Sequence, residues 1–368
     1  MKNFFISIIS FMIAVMGYTQ NTPHSIKDIE IDCKNISEEI ELLSKFNVDF
    51  IPLKAGLESF IRRIEKVIYE DDHIVVWDRT LNTIIVFNKE GSFLRKIKYG
   101  GKGPGEFLSC YDVDVQNNKL YVLSYREIIV FDLDLNFQEK IALNKVYWKF
   151  LIDDEWVYFY NMIHTPIYRE KVGVANLASL GKSHPLLFEN RQLGMYHPVE
   201  VFNFCNNSEE ILFHYLLTDT IYSLYKNKVQ PKYILDFKGR KFDKHAYDKI
   251  PNNEMAAMKL DEELRNLKHP YKPIDFIKNS IGIYLRFVMD NNSMTFFQNS
   301  SKSINSLSKK SLIDGIEISL DLIGFTEETL IFKIDPWEIS DKLKSNLKNK
   351  GYSINEDSNP LLMILSAK

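Results

Sequence analysis

Residues 100–107 read Gly-Gly-Lys-Gly-Pro-Gly-Glu-Phe and separate two similar units of short apolar runs. The upstream unit has runs at 74–78, 84–87 and 93–97, and the downstream unit has runs at 120–123, 128–131 and 137–141. Phe131 follows Phe87 by 44 residues, and Phe137 follows Phe93 by the same interval. A period of about 40–50 residues with about four strands is typical of a β-propeller blade. A single blade cannot bury both faces of its sheet, so the pattern predicts blades stacked in a ring.

The glycine-rich run is interpreted as the connection between two blades. Its glycines tolerate a positive φ and Pro104 fixes one φ, which suits a chain returning from an outer strand to the next inner strand. Phe107 would then begin the inner strand 108–115. The alternative is a phosphate-binding loop. Its glycine spacing differs from G-x-G-x-x-G, and the run leads into a strand pattern rather than a helix, which favours the connection.

This run, placed after a strand that contains Gly-Ser-Phe-Leu at 91–94, resembles an NHL-like repeat. It is also similar to the six-bladed β-propeller proteins of gut Bacteroidota, a family largely of unknown function. Shorter matches are Phe-Ile-Pro-Leu at 50–53, Asp-Thr-Ile-Tyr-Ser at 219–223 and Asn-Pro-Leu-Leu at 359–362. The resemblance implies a propeller over nearly the whole mature chain and assigns no catalytic residues. Leu135 stands where the first unit has Gly91, which predicts a different turn there.

The predicted fold class is all-β, a six-bladed β-propeller with short inserted helices. The blades are assigned to 60–98, 107–143, 147–188, 200–237, 273–305 and a last blade that begins near 313. Residues 46–53 are predicted to complete the last blade beside 361–365, because this closure leaves no open sheet edge. Helices are expected at 252–268 and 336–350, a helical turn within 37–44, and a loop at 298–311.

The first nineteen residues read as a secretory signal peptide. Lys2 precedes an apolar stretch from Phe4 to Met16, too short to span a bilayer comfortably, and small residues Gly17 and Thr19 precede a cut before Gln20. The alternative is a buried N-terminal helix. No cysteine follows the apolar stretch directly, so a lipoprotein is not predicted. The expected organisation is a signal peptide (1–19), a lead-in segment (20–45) and a propeller (46–368), exported to the periplasm or cell envelope.

The net charge and the spacing of cysteines and histidines argue against several kinds of binding site. The formal net charge of −3 argues against nucleic acid as a partner. The three cysteines form no C-x-x-C, although a Cys110–Cys205 bond stays open in an exported protein. The eight histidines are scattered without metal-ligand spacing, so neither a metal nor a cofactor is predicted.

Propellers bind ligands at one face, where loops enter the innermost strands and line the channel mouth. Seven residues fall on those loops and are the candidate binding residues, each of which also has a purely structural interpretation: Lys102, Glu106, Tyr111, Trp148, Arg191, His197 and Tyr271. No catalytic residue is predicted.

Three functions from different classes follow. The first is an exported non-catalytic binding module for a peptide, glycan or protein, with association with envelope proteins as one form of it. The alternative is an extracytoplasmic hydrolase or lyase with its active site in the central channel. A third, structural-assembly role would use the two predicted helices as a docking surface.

Overall fold

The chain forms a six-bladed β-propeller, as its repeat predicts. The computed structural model describes residues 26–98, 100–101, 103–161, 170–188, 204–207, 210–215, 218–240, 270–300, 304–349 and 351–368. Strands in these ranges form six sheets, which we call blades I to VI. The first three strands belong to three different blades: β1 (Lys27–Asp32), β2 (Ser37–Glu41) and β3 (Phe46–Pro52).

Blades I and II are four-stranded antiparallel sheets on either side of the glycine-rich run. Blade I contains β4 (Ile64–Glu70), β5 (His73–Asp78), β6 (Thr83–Asn88) and β7 (Phe93–Lys98). Blade II contains β8 (Asp112–Gln116), β9 (Lys119–Ser124), β10 (Glu127–Asp132) and β11 (Phe137–Ala142). The middle strands of both blades are buried on both faces, because each blade packs between two others. This accounts for the continuous Val/Ile runs in the sequence.

Blades III and IV follow the same order. Blade III contains β12 (Lys149–Asp153), β13 (Trp156–Tyr160), β14 (Glu170–Asn176) and β15 (His184–Phe188), with a 3-10 segment at Leu177–Lys182. Blade IV contains β16 (Phe204–Asn206), β17 (Ile211–Phe213), β18 (Thr220–Tyr225) and β19 (Lys228–Lys238). Aromatic residues of both blades fill the interface between them.

Blades V and VI complete the ring. Blade V contains β20 (Tyr271–Asn279), β21 (Gly282–Met289), β22 (Asn292–Asn299) and β23 (Asn305–Ile313), and β24 (Ile316–Ile318) pairs with β23. Blade VI contains β25 (Asp321–Phe325), β26 (Thr329–Ile334) and β27 (Leu361–Ala367), followed by β3. Strands β22 and β23 occupy most of 298–311, so the predicted loop there is wrong.

The predicted closure of the ring is confirmed. Strand β3 pairs antiparallel with β27, with Phe50 opposite Met363 and Ile51 opposite Leu362. Blade VI is therefore built from both ends of the described chain. Leu362 packs towards blade I and its neighbour Met363 towards blade V, because successive side chains of a strand point to opposite faces.

The segment before β3 adds strands to two more blades. Strand β1 pairs parallel with β19 of blade IV, and β2 pairs parallel with β23 of blade V. The helical turn predicted within 37–44 is thus mostly a strand, and only Leu42–Ser44 is 3-10. The buried apolar side chains of this segment lie in one core with blades IV to VI: Ile29, Ile31, Cys33, Ile40 and Leu42. We call residues 27–44 the N-terminal strap.

The turns of the repeat are more alike than the sequence indicates. Leu135 has φ 62° and donates its N–H to Asp132 O, as Gly91 with φ 75° does to Asn88 O. The different turn predicted at Leu135 is therefore wrong. The inner strand of blade II begins at Asp112 rather than Leu108, whose side chain is 53% exposed.

The structure describes the second predicted helix and the cysteines, but not the signal peptide or the first predicted helix. In place of a helix over 336–350 there is a 3-10 turn at Pro336–Glu338 and a helix α1 at Asp341–Asn349. The three cysteines are free and buried. The predicted signal peptide (1–19) and the helix at 252–268 lie outside the described residues. No helix within the described ranges is long and apolar enough to cross a membrane.

Candidate functional site

Two of the predicted residues meet at one end of the channel. Tyr111 and Trp148 immediately precede the inner strands β8 and β12, where the chain enters blades II and III. Each extends its hairpin, since Tyr111 N–H bonds to Leu123 O at 2.8 Å and Trp148 N–H bonds to Tyr160 O at 3.2 Å. Their ring centroids are 4.8 Å apart at 37°, and both rings are partly exposed. This pair forms an aromatic surface at the channel mouth.

Glu106 folds the glycine-rich connection. Its Oε2 accepts a hydrogen bond from Gly103 N–H at 2.8 Å, and its backbone oxygen accepts one from Lys140 Nζ at 2.8 Å. The same carboxylate lies against Gly101, where an added Cβ would displace it. Glu106 itself remains exposed beside the mouth.

The structure does not describe the side chains of the other four predicted residues. Tyr271 begins β20, and its side chain is not described. The other three lie outside the described residues: Lys102, Arg191 and His197.

The inner strands enclose a channel cavity of about 240 Å³. Strands β4, β8, β12, β16 and β25 line it, one each from blades I, II, III, IV and VI. Its charged lining residues are Lys66, Glu70, Asp112, Asp114 and Lys149. The sequence analysis missed all five. A signal was available in Asp-Val-Asp-Val at 112–115, because polar residues that alternate with valine mark a strand with one polar face.

Asp112 and Asp114 join blade II to blade III. Asp112 Oδ2 accepts a hydrogen bond from Phe150 N–H at 3.1 Å, and Asp114 Oδ2 accepts one from Ile152 N–H at 2.7 Å. The alternate residues Val113 and Val115 pack in the core shared with blade I. The inner strand of blade II therefore accepts backbone hydrogen bonds from blade III, and its valines pack against blade I.

Two lysines approach Asp112 from the neighbouring blades. Lys66 Nζ lies 3.3 Å from Asp112 Oδ1 and donates to Val113 O at 2.6 Å. Lys149 Nζ lies 4.0 Å from the same Oδ1 and 5.6 Å from the Trp77 ring centroid. Both side chains are largely buried, at 13% and 6% exposed. One carboxylate oxygen thus faces two ammonium groups.

Burial raises the pKa of two carboxyl groups in the cavity, those of Asp114 and Glu70. Loss of solvent raises the pKa of Asp114 to about 6, although the Lys66 charge and the two backbone hydrogen bonds act in the opposite direction. Burial also raises the pKa of Glu70, at the other end of β4. The buried Cys110 thiol, next to Asp112, has a pKa well above its ordinary value for the same reason.

A second cavity, of about 270 Å³, lies on the opposite face between blades IV, V and VI. Asn279 Nδ2 donates to Thr326 O at 2.9 Å, and Asn207 Nδ2 donates to Lys278 O at 2.8 Å. Each of these amides links two neighbouring blades, blade V to blade VI and blade IV to blade V. Among the residues that the structure describes, no group of three or more His, Cys, Asp or Glu side chains could hold a metal ion.

Comparisons with known proteins agree with this fold. A family profile described as "Domain of unknown function (DUF4934)" matches residues 29–366. The chain is similar to a crystal structure from Bacteroides fragilis named as an exported protein, with TM-score 0.72 and 14% identity over 94% of this chain and 100% of that chain. A DUF4221 family member from Bacteroides vulgatus matches with TM-score 0.55 and 10% identity over 88% and 97%. At these identities the likeness shows the fold alone. No curated protein matches the chain.

Proposed function

The chain belongs to the DUF4934 family of domains of unknown function, and we propose that it is an exported, non-catalytic binding module. Its ligand is a peptide, glycan or protein that binds at the channel mouth. The observation that carries the proposal is the Tyr111–Trp148 pair, because partly exposed aromatic rings supply contact area at little cost in side-chain entropy.

The hydrogen bonds in the channel support binding rather than catalysis. The carboxylates of Asp112 and Asp114 both accept backbone N–H groups of blade III. These bonds fix the position of the inner strands, so the two carboxylates serve as structural links between blades. Backbone hydrogen bonds hold Tyr111 and Trp148 to their hairpins before a ligand binds, which lowers the entropy lost on binding.

Export is part of the proposal. It is supported by the signal-peptide pattern in 1–19 and by the similar Bacteroides fragilis structure that is named as an exported protein. Association with other envelope proteins would follow from this location. Cell fractionation followed by N-terminal sequencing tests it: an N-terminus at Gln20 in the periplasmic or envelope fraction supports export, and an intact Met1 in the cytoplasm contradicts it.

Binding is tested with Tyr111→Ala and Trp148→Ala against Tyr225→Ala. Tyr225 is 65% exposed at the end of β18, on the face opposite the mouth. The immobilised proteins are probed with a glycan array, a peptide library and solubilised native envelope. We expect the mouth variants to bind about tenfold more weakly or worse, and the control to bind as the wild type does. Equal loss in all three variants would contradict a site at the mouth.

The alternative function is a hydrolase or lyase with its site in the channel. It is favoured by Asp114, because a buried carboxyl with a pKa near 6 suits general acid–base chemistry. Turnover of a bound ligand that Asp114→Asn abolishes, without loss of ligand affinity, would establish this alternative and exclude the non-catalytic module.

A further inference from the structure

Large apolar side chains are exposed around the channel mouth. The inner strand of each blade begins at this face, and the antiparallel second strand ends there. The connections at these strand ends in blades VI, I and II carry five large apolar side chains that are more than half exposed: Leu57, Phe60, Leu108, Tyr125 and Trp337. Single exposed apolar residues are common, but a group of them on one face marks an interaction surface. We call these five residues the apolar rim.

Hydrogen bonds join the connections that carry the apolar rim. Ile61 N–H donates to Asn359 Oδ1 at 2.9 Å, which links the entry of blade I to blade VI. Cys110 N–H donates to Asn82 Oδ1 at 3.0 Å, which links the entry of blade II to blade I. The rim residues therefore stand on one connected surface across three blades. Neither of the two cavities described above is lined by a rim residue, so the rim does not belong to either pocket.

The exposed charges differ between the two ends of the ring. At the mouth, the connections of blades I and II carry four exposed arginines: Arg62, Arg63, Arg79 and Arg126. Two of them, Arg63 and Arg79, also contact the buried Glu65. The exposed acids on the same connections are Glu58, which pairs with Lys96, and Glu106. Exposed basic residues thus outnumber exposed acidic ones on these two blades, whereas the connection of blade VI carries both signs.

The opposite end of the ring is acidic. Within the described chain, the turns between the first and second strands contain no basic residue. The exposed acids of these turns lie in blades I, III and VI: Asp71, Asp72, Asp154, Glu155, Glu327 and Glu328. The difference between the two ends favours an orientation in which the mouth faces an anionic surface.

We infer that the apolar rim docks the propeller on an anionic lipid bilayer, with the rim side chains inserted among the lipids and the neighbouring arginines at the lipid phosphates. Tryptophan and tyrosine suit the boundary between lipid and water, and arginine binds phosphate in a bidentate geometry. The rim fits a bilayer better than a protein partner, because protein hot spots fill pockets, whereas the rim residues are spread over separate connections. This docking goes beyond the proposed ligand binding and does not require it.

The test measures quenching of tryptophan fluorescence in the full-length folded protein by vesicles of brominated phosphatidylcholine, with and without phosphatidylglycerol. Brominated acyl chains quench only a tryptophan that reaches the bilayer, and Trp337→Phe isolates the contribution of Trp337. The test variant combines Leu57→Ser with Phe60→Ser. The matched control combines Leu94→Ser with Tyr225→Ser, two exposed residues at strand ends away from the mouth. Both double variants keep every tryptophan, and the apolar segment 4–16 is the same in all proteins.

We expect the wild type and the control to be quenched at the same lipid concentration, and the Leu57→Ser, Phe60→Ser variant to need about tenfold more lipid. Quenching should weaken without phosphatidylglycerol, because the arginines then meet no net negative surface. Trp337→Phe should lose most of the quenching.

Four results would overturn the inference. They are no quenching of the wild type, equal quenching of the two double variants, quenching that does not depend on phosphatidylglycerol, and quenching unchanged by Trp337→Phe. An envelope protein that cross-links to the rim in place of lipid would overturn it as well. The vesicles contain no peptide, glycan or protein, so a failure here leaves the Tyr111–Trp148 site standing, and failure of that site leaves the docking standing.

Discussion

The substitution Ile31→Ala tests whether the N-terminal strap is an integral part of the propeller. Ile31 lies in β1, is 0% exposed, and belongs to the core shared with blades IV, V and VI. Its strand pairs with β19 in parallel, with Ile31 opposite Phe237. Because this core is shared with three blades, shortening this one side chain lowers the stability of the propeller itself.

The magnitude follows from the atoms removed. Ile→Ala deletes three buried carbon atoms, each worth about 0.8 kcal/mol of transfer free energy, which gives about 2.4 kcal/mol. The cavity left in a close-packed core adds to this, so we expect a loss of about 3–4 kcal/mol in the free energy of unfolding. This is a large share of the 5–15 kcal/mol typical of a folded domain, on the order of a third.

The assay is equilibrium urea unfolding followed by tryptophan fluorescence. For a slope of about 3 kcal/mol per molar, the unfolding midpoint of Ile31→Ala should fall by about 1 M. The control is Glu30→Ala in the same strand. Glu30 is exposed and pairs with Lys238 at 3.4 Å, a surface ion pair worth at most about 1 kcal/mol. Equal midpoints for Ile31→Ala and the wild type would refute the assigned packing of the strap.

Three further predictions address the repeat, the channel and the thiols. Gly105 has φ 73° and a Cβ there would lie 3.1 Å from Phe137 Cβ, so Gly105→Ala should lower the unfolding free energy by about 1–3 kcal/mol. Gly100→Ala, with nothing within 4 Å, should be nearly neutral in the same denaturation assay, and equal losses would contradict this. The native pKa of Asp114 is about 6 against an ordinary 3.8, so its contribution to stability is complete below pH 3.8 and is lost as pH rises through 6. At about 1.4 kcal/mol per pH unit, the lost stability amounts to about 3 kcal/mol. The thermal stability of the wild type should therefore decline between pH 4 and 7, and Asp114→Asn should flatten that decline. Parallel pH profiles for the two proteins would disprove the role of Asp114. Burial raises the pKa of Cys33 and Cys205 to about 12 and that of Cys110 well above its ordinary value. Thiol reagents should therefore label all three cysteines only after unfolding. Labelling of the native protein would contradict their burial.

Much of the ring could be predicted from sequence because its pattern is local. The runs 74–78 and 128–131 are apolar on both faces, and they became central strands packed between two blades. The closure between 46–53 and 361–365 followed from the need to leave no open sheet edge, and it was confirmed. The turn at Leu135 was mispredicted because a leucine there adopts the positive φ that glycine adopts more easily at 91.

The candidate site was only half predictable. Tyr111 and Trp148 were placed at the mouth because the loops that enter the inner strands line it, but their contact depends on how blades II and III sit side by side. Lys66 and Lys149 were missed because each is a single charge in an otherwise ordinary strand. Their significance comes from Asp112, which stands on a third strand.

The sequence by itself determined the repeat, the strands of its central units and the closure of the ring, since alternation, period and turn chemistry act over a few neighbouring residues. The tertiary structure decided which side chains share a channel and where the strap binds. Strands β1 and β2 each pair in parallel with a strand about 200 to 270 residues away. Lys66, Asp112 and Lys149 come from three different blades. Such contacts depend on how the blades stack, which no local pattern encodes.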